Sequence, residues 1–231
     1  PITGDNAISV ADAGSGFTIS GVSSNLAVDT SVTVTLNGKT YTGNTQADGT
    51  WSVIIPTEDA TALSDGKSTV TVSAIDEAGN PISGSHDFTV LINKVPSASI
   101  NTPFGDGVLN SAEAAGSPVL TGSTGVPGAG QTVVVNIGGI NYNATVDANG
   151  NWSLAAPDAL LNAADTLNNP IPYTVTAKDA AGNASSVSGT IEVDKTPPVL
   201  VLQAVSGGYV NAAEVGQIVP ISGTGGPYDP D

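Results

Sequence analysis

A chain of 231 residues with 21 acidic side chains, five lysines and a net charge of −16 lacks the basic footprint that nucleic acids and anionic membrane surfaces require of their partners. With no cysteine, its stability must come from core packing, from metal, or from both. It contains no run of 18 apolar residues to cross a bilayer, and its 28 glycines and 15 prolines among short Val, Ile and Thr runs point to an all-β chain of short strands and turns.

Neither a signal peptide nor a methionine is present, so the chain reads as an internal piece of a longer protein whose targeting is not legible. Comparing the chain with itself reveals its organisation. Trp51 and Trp152 lie 101 positions apart, as do Asn93 and Asp194, while Asp12, Glu113 and Glu214 fall at two such steps. The Gly-Asn pairs at 79–80 and 182–183 are offset by 103. A fixed period of this kind marks a tandem array. It divides the chain into residues 1–95, a unit lacking its first strand; 96–196, a complete unit; and 197–231, the start of a third.

In the complete unit, strands are expected at 97–101, 118–123, 131–137, 141–146, 152–155, 173–177 and 186–193, with one helical turn within 159–166. Gly138-Gly139 suits a turn with positive φ, and Asn149-Gly150, matched by Asp48-Gly49, is a strong hairpin signal. The third unit is expected to hold strands at 199–202 and 218–222. Seven short strands in about 100 residues describe an immunoglobulin-like β-sandwich. The tandem units then form a linear array, with Trp51 and Trp152 as equivalent core residues.

Catalysis is not expected. His86 is the only histidine and has no counterpart in the second unit, so it reads as an exposed strand residue. Nucleotide-binding and nucleophile-elbow motifs are absent. Calcium is the stronger candidate, because it takes oxygen ligands from carboxylates, amides and carbonyls. Asp147-Ala148-Asn149-Gly150-Asn151 faintly resembles the start of a calcium loop, but its glycine is out of place and it reads as a hairpin turn. Topology supplies a better constellation. When sandwiches stack, the outgoing end of one meets the incoming end of the next. The first junction thereby gathers Asp12 and Asn93 with Asp179 and Asn183. The second gathers Glu113 and Asp194, with Asp165 nearby. Capping of their own turn is the alternative role for Asp179 and Asn183.

The segments Asp179-Ala-Ala-Gly-Asn183, Val193-Asp-Lys-Thr-Pro-Pro198, Asn110-Ser-Ala-Glu113, Asn211-Ala-Ala-Glu214 and Asp48-Gly-Thr-Trp51 resemble the bacterial immunoglobulin-like extender repeats of large adhesins, of the RTX and biofilm type, exported by type I secretion. The resemblance covers essentially the whole chain. It implies a secreted stalk on the bacterial cell surface, stiffened by calcium at its junctions. Its partners would be neighbouring repeats, with a host or biofilm-matrix ligand bound elsewhere in the full protein. Asn93 stands where such linkers usually carry Asp, and Asp12 where they carry Glu, which would weaken the first junction. Two alternatives stay open: a module binding glycan or protein through its end loops, and accessory domains of an extracellular hydrolase.

Overall fold

The computed structural model describes residues 2–128, 130–166, 168–202, 213, 215 and 221–225. The first unit runs β1 (Ala7–Ile8), α1 (Val10–Ser15), β2 (Phe17–Val22), β3 (Ser31–Leu36), β4 (Lys39–Asn44), β5 (Thr50–Ile55), α2 (Thr57–Ala60), β6 (Gly66–Ile75) and β7 (Pro81–Val90). The second runs β8 (Ser99–Ile100), a 3-10 turn (Pro103–Gly105), β9 (Val108–Leu109), α3 (Ser111–Ala115), β10 (Val119–Ser123), β11 (Thr132–Ile137), β12 (Ile140–Val146), β13 (Asn151–Ala155), α4 (Asp158–Leu161), β14 (Ile171–Lys178) and β15 (Ala184–Val193). Two further strands, β16 (Leu200–Leu202) and β17 (Gly223–Gly225), pair antiparallel.

Each unit is a sandwich, and the fold is all-β and immunoglobulin-like, as the strand pattern implies. In the first, β1-β7-β6-β3-β4 faces β2-β5; in the second, the corresponding strands join as β8-β10-β13-β12-β11-β14-β15-β9. The join exists because β12 and β13 stay paired through Thr145 with Ser153 and Val146 with Trp152. Successive strand side chains point to opposite faces, so Val32, Val34 and Leu36 of β3 enter the first core while Thr33 and Thr35 face away from it. Val133, Val135 and Ile137 of β11 repeat the pattern in the second core. The two cores are separate clusters, one from Ile2 to Val90 and one from Leu109 to Val193.

Two features depart from the sequence expectations. The loop after the first strand contains a two-residue parallel strand, β9, on β15, and β1 does the same on β7. The tryptophans also differ. Trp152 is 2% exposed, whereas Trp51 is only partly buried against its core. The cause is β8, which pairs with β10 and covers Trp152; β2 pairs only with β5 among the described residues. Of the strand expected at 218–222, residues 218–220 lie outside the described residues, and 221–222 precede β17. His86 is exposed on β7, its Nε2 2.6 Å from Asn6 Oδ1.

Candidate domain-junction site

The turn from β14 to β15 is built by Asp179-Ala180-Ala181-Gly182-Asn183. Asp179 N donates to Asn183 O at 3.0 Å, and Gly182 N to Asp179 O at 3.2 Å. Gly182 has φ of 88°, a conformation open to glycine because it lacks Cβ. The Asp179 carboxylate is buried yet satisfied: Oδ1 accepts from Ala181 N (3.0 Å) and Asn183 N (2.9 Å), and Oδ2 from Asn183 Nδ2 (2.8 Å).

Held in this way, the Asn183 amide reaches into the first unit. Its Oδ1 accepts from Val10 N at 2.9 Å, and its Nδ2 donates to Leu91 O at 2.7 Å. Val10 opens α1, where an amide has no partner inside the helix. Leu91 follows β7 and is itself tied back by its N–H to Ile8 O (3.0 Å). One side chain of the second unit therefore joins the start of a helix to the exit of a strand in the first.

Asp12 acts on the adjacent amide. Its Oδ2 accepts from Ser9 N at 2.9 Å while Ser9 Oγ accepts from Asp12 N at 3.2 Å, a reciprocal cap of α1. Asp12 and Asn183 thus accept from consecutive amides, Ser9 and Val10. Of the four residues expected at this junction, Asp12 and Asn183 meet at the start of α1, and Asp179 holds Asn183 from within their shared turn. Asn93 does not join them directly. Its N–H and Nδ2 turn to Asp65 Oδ1, at 2.9 and 3.3 Å.

Asp65 was not among the expected residues. It also accepts from Ile92 N (2.8 Å) and Lys94 N (2.7 Å), gathering the whole exit segment. Burial pushes its pKa up, but the amides of Ile92, Asn93 and Lys94 and the Asn93 side chain outweigh burial and hold it below the ordinary carboxylate value. Its counterpart is Asp165, which accepts from Thr196 Oγ1 and from Lys195 N (2.9 Å). The Thr196 hydroxyl foremost, then the Lys195 amide, lower its pKa. Asp65 and Asp165 are 100 positions apart, a near-period that could have flagged the first.

The remaining expected residues lie at the far end of the second unit. Glu113 caps α3 reciprocally with Asn110: Asn110 N donates to Glu113 Oε2 (3.1 Å) and Glu113 N to Asn110 Oδ1 (2.9 Å). Asp194 Oδ1 accepts from Thr196 N (3.1 Å), and Asp194 N donates to Leu109 O (3.1 Å). Asp165 and Asp194 therefore share the exit segment 194–196, with Glu113 on the neighbouring helix.

The Asp-x-x-Gly-Asn turn occurs three times. Asn80 folds onto Asp76 through its N (2.7 Å) and Nδ2 (2.8 Å), and Asn151 onto Asp147 through its N (2.9 Å) and Nδ2 (3.2 Å). Both carboxylates are held below their ordinary pKa, Asp76 chiefly by the Asn80 side chain and Asp147 chiefly by the Asn151 amide. The turn is thus self-contained, and among the described residues only Asn183 extends it across a junction.

Among the described residues no three acidic, His or Cys side chains are grouped to hold a metal. The first junction instead presents two carboxylates, Asp12 and Asp179, the Asn183 amide oxygen and the Leu91 carbonyl. Both Asp179 oxygens, Asn183 Oδ1 and Leu91 O already accept hydrogen bonds, whereas nothing among the described residues donates to Asp12 Oδ1. No helix among the described residues is long and apolar enough to cross a membrane.

Residues 4–92 and 106–195 each match the family described as Bacterial Ig-like domain. No curated protein matches the chain. Among solved structures, it is similar to a Ca2+-stabilised adhesin with which an Antarctic bacterium reaches out and binds ice: 32% identity over 96% of this chain and 55% of that one, TM-score 0.43. It is also similar to a bacterial ice-binding adhesin associated with host cell surface retention: 30% identity over 97% of this chain and 73% of that one, TM-score 0.43. A third similar structure is a bacterial immunoglobulin-like domain of the M. primoryensis ice-binding adhesin: 31% identity over 40% of this chain and 90% of that one, TM-score 0.31. The chain thus spans about half the length of the first of these.

Proposed function

Because the chain belongs to the bacterial Ig-like domain family, we propose that it is a structural extender of a secreted, surface-attached bacterial adhesin. Its units are 1–95, 96–196 and the beginning of another at 197–231. Its task is mechanical and non-enzymatic: to set the distance and direction between a surface and an adhesive tip elsewhere in the protein. The observation that carries this reading is the Asn183 bridge, in which one amide of the second unit holds Val10 N and Leu91 O of the first. An extender needs fixed angles between successive units, and a two-point hydrogen-bonded contact at a short linker restricts them.

Calcium is the proposed cofactor, as the adhesin relative described as Ca2+-stabilised suggests. At the first junction Asp12, Asp179 and Asn183 would hold it, with Asn93 at the edge. At the second, Glu113, Asp165 and Asp194 would do so. The ion would neutralise carboxylates that the five lysines leave largely unpaired and tie both units to one centre. Extracellular calcium modules bind at roughly 10⁻⁴–10⁻³ M, and an ion at about 100 times its dissociation constant stabilises by about 2.7 kcal/mol. Calorimetric titration of the chain should show saturable calcium binding that Asp179→Ala weakens while both units stay folded. Absence of binding, or heats unchanged by Asp179→Ala, would remove calcium from the first junction.

A further inference from the structure

The turn between β3 and β4 is Asn37-Gly38, closed by the pair Leu36 and Lys39. Both turn residues have positive φ, 49° and 76°, the conformation that suits the twist of the flanking strands and selects Asn-Gly. The same turn in the second unit, between β11 and β12, is Gly138-Gly139, with φ of 57° and 90°. The backbone shape is thus kept there while the side-chain amide is missing.

Asn37 and Gly38 are both exposed. Neither the Asn37 amide nor the Gly38 N–H is hydrogen-bonded to a described residue. A Cβ on Gly38 would meet nothing within 4 Å. Little therefore opposes rotation of this peptide, and no side chain on Gly38 screens its nitrogen from the neighbouring amide carbon.

The chain has one other Asn-Gly pair, Asn149-Gly150, and it is held. Gly150 N donates to Asp147 O (3.1 Å), Gly150 O accepts from Thr124 N (2.7 Å), and Asn149 N donates to Asp147 Oδ1 (2.8 Å). The place of a Cβ on Gly150 lies 2.2 Å from Val126 O, so this peptide is wedged against the loop that follows β10. Turning it toward the Asn149 side chain would break its hydrogen bonds.

The geometry points to Asn37 as a site of spontaneous deamidation, a modification confined to the first unit. The Gly38 nitrogen, having lost its proton, attacks Asn37 Cγ. A bond forms from that nitrogen to Cγ, the Cγ–Nδ2 bond breaks, and Nδ2 leaves as ammonia with the proton. Water then opens the resulting succinimide. Cleavage between the Gly38 nitrogen and Cγ leaves aspartate, and cleavage at the main-chain carbonyl leaves isoaspartate. Nothing is oxidised or reduced, and water is the sole co-reactant.

The two products act differently. Aspartate places a carboxylate two residues from Lys39, which already pairs with Asp59. Isoaspartate adds a methylene to the backbone of a two-residue loop, and loop length fixes hairpin register. The added atom strains the Leu36–Lys39 closure, next to the buried Leu36 and the Asp59 contacts of Lys39 and Tyr41. The first unit then ages while the second keeps its hairpin, whatever task the array performs.

Prolonged incubation of the whole chain at mildly alkaline pH, followed by proteolysis and mass spectrometry of the peptides carrying Asn37 and Asn149, tests this. The expected result is conversion of Asn37 to aspartate and isoaspartate, several-fold ahead of Asn149. In denaturant the two sites should react at comparable rates, because the fold and not the dipeptide separates them. Asn37→Gly, which copies the turn of the second unit, should stay folded and remove the fast phase of ammonia release. Equal conversion of both sites in the folded chain overturns the proposal, as does an Asn37 that keeps its amide or a rate difference that persists in denaturant.

Discussion

Asn183→Ala removes both hydrogen bonds across the first junction, to Val10 N at 2.9 Å and to Leu91 O at 2.7 Å. A typical intramolecular hydrogen bond contributes about 0.5–1.5 kcal/mol net, so the pair contributes ~1–3 kcal/mol to docking of the units. That corresponds to roughly a 5–150-fold change in the ratio of docked to undocked forms. The substitution also removes the Nδ2 donor to Asp179 inside its own turn, which would confuse a simple stability measurement. Asn80→Ala is the control: it takes the same donor from Asp76 but breaks nothing across a junction. Residual dipolar couplings measured on both units should fit one alignment tensor in the wild type and in Asn80→Ala, and need two in Asn183→Ala. If Asn183→Ala still fits one tensor, or Asn80→Ala loosens the junction equally, the bridge does not hold the units together.

Trp152→Ala should cost about 3–5 kcal/mol, as for a large core aromatic, and Trp51→Ala distinctly less because Trp51 is only partly buried; chemical denaturation of each variant measures both. Acid should loosen the exit of the first unit. The Asp65 pKa is lowered on folding, so its contribution is fully present above the unfolded value near 3.9 and is lost as pH falls through the lower folded value. Asp65→Asn should therefore flatten the fall in melting temperature of the first unit below about pH 4, and an unchanged acid profile would deny Asp65 that role.

The sandwich was legible because each strand writes its two faces into the sequence. Val32, Val34 and Leu36 alternate with polar neighbours, and the same inward spacing recurs at Val133, Val135 and Ile137, where Val134 alone interrupts the polar face. The 101-residue period made the tandem arrangement visible before any contact was known. Two-residue strands such as β1 and β9 are too short to show a period, and their parallel pairing depends on the far ends of β7 and β15. The capping boxes were readable: Ser9-x-x-Asp12 and Asn110-x-x-Glu113 are capping patterns, and reading Asp12 and Glu113 only as metal ligands passed over that local role. The half-exposure of Trp51 was not visible in its own neighbours in sequence, since β8 covers Trp152 while β2 pairs only with β5 among the described residues. Topology brought Asp179 and Asn183 to the correct end of the second unit. That the Asn183 amide would meet Val10 N and Leu91 O is a matter of tertiary fit, which no spacing encodes.

The most direct test of the extender account is small-angle scattering of the chain in calcium and in chelator. The account predicts a longer maximum dimension with a narrower spread in calcium, because an ion shared by Asp12 and Asp179 adds a second tie to the Asn183 bridge. Asn183→Ala in chelator should give the widest spread of all. Identical dimensions and spread in calcium and chelator would contradict a calcium-stiffened junction.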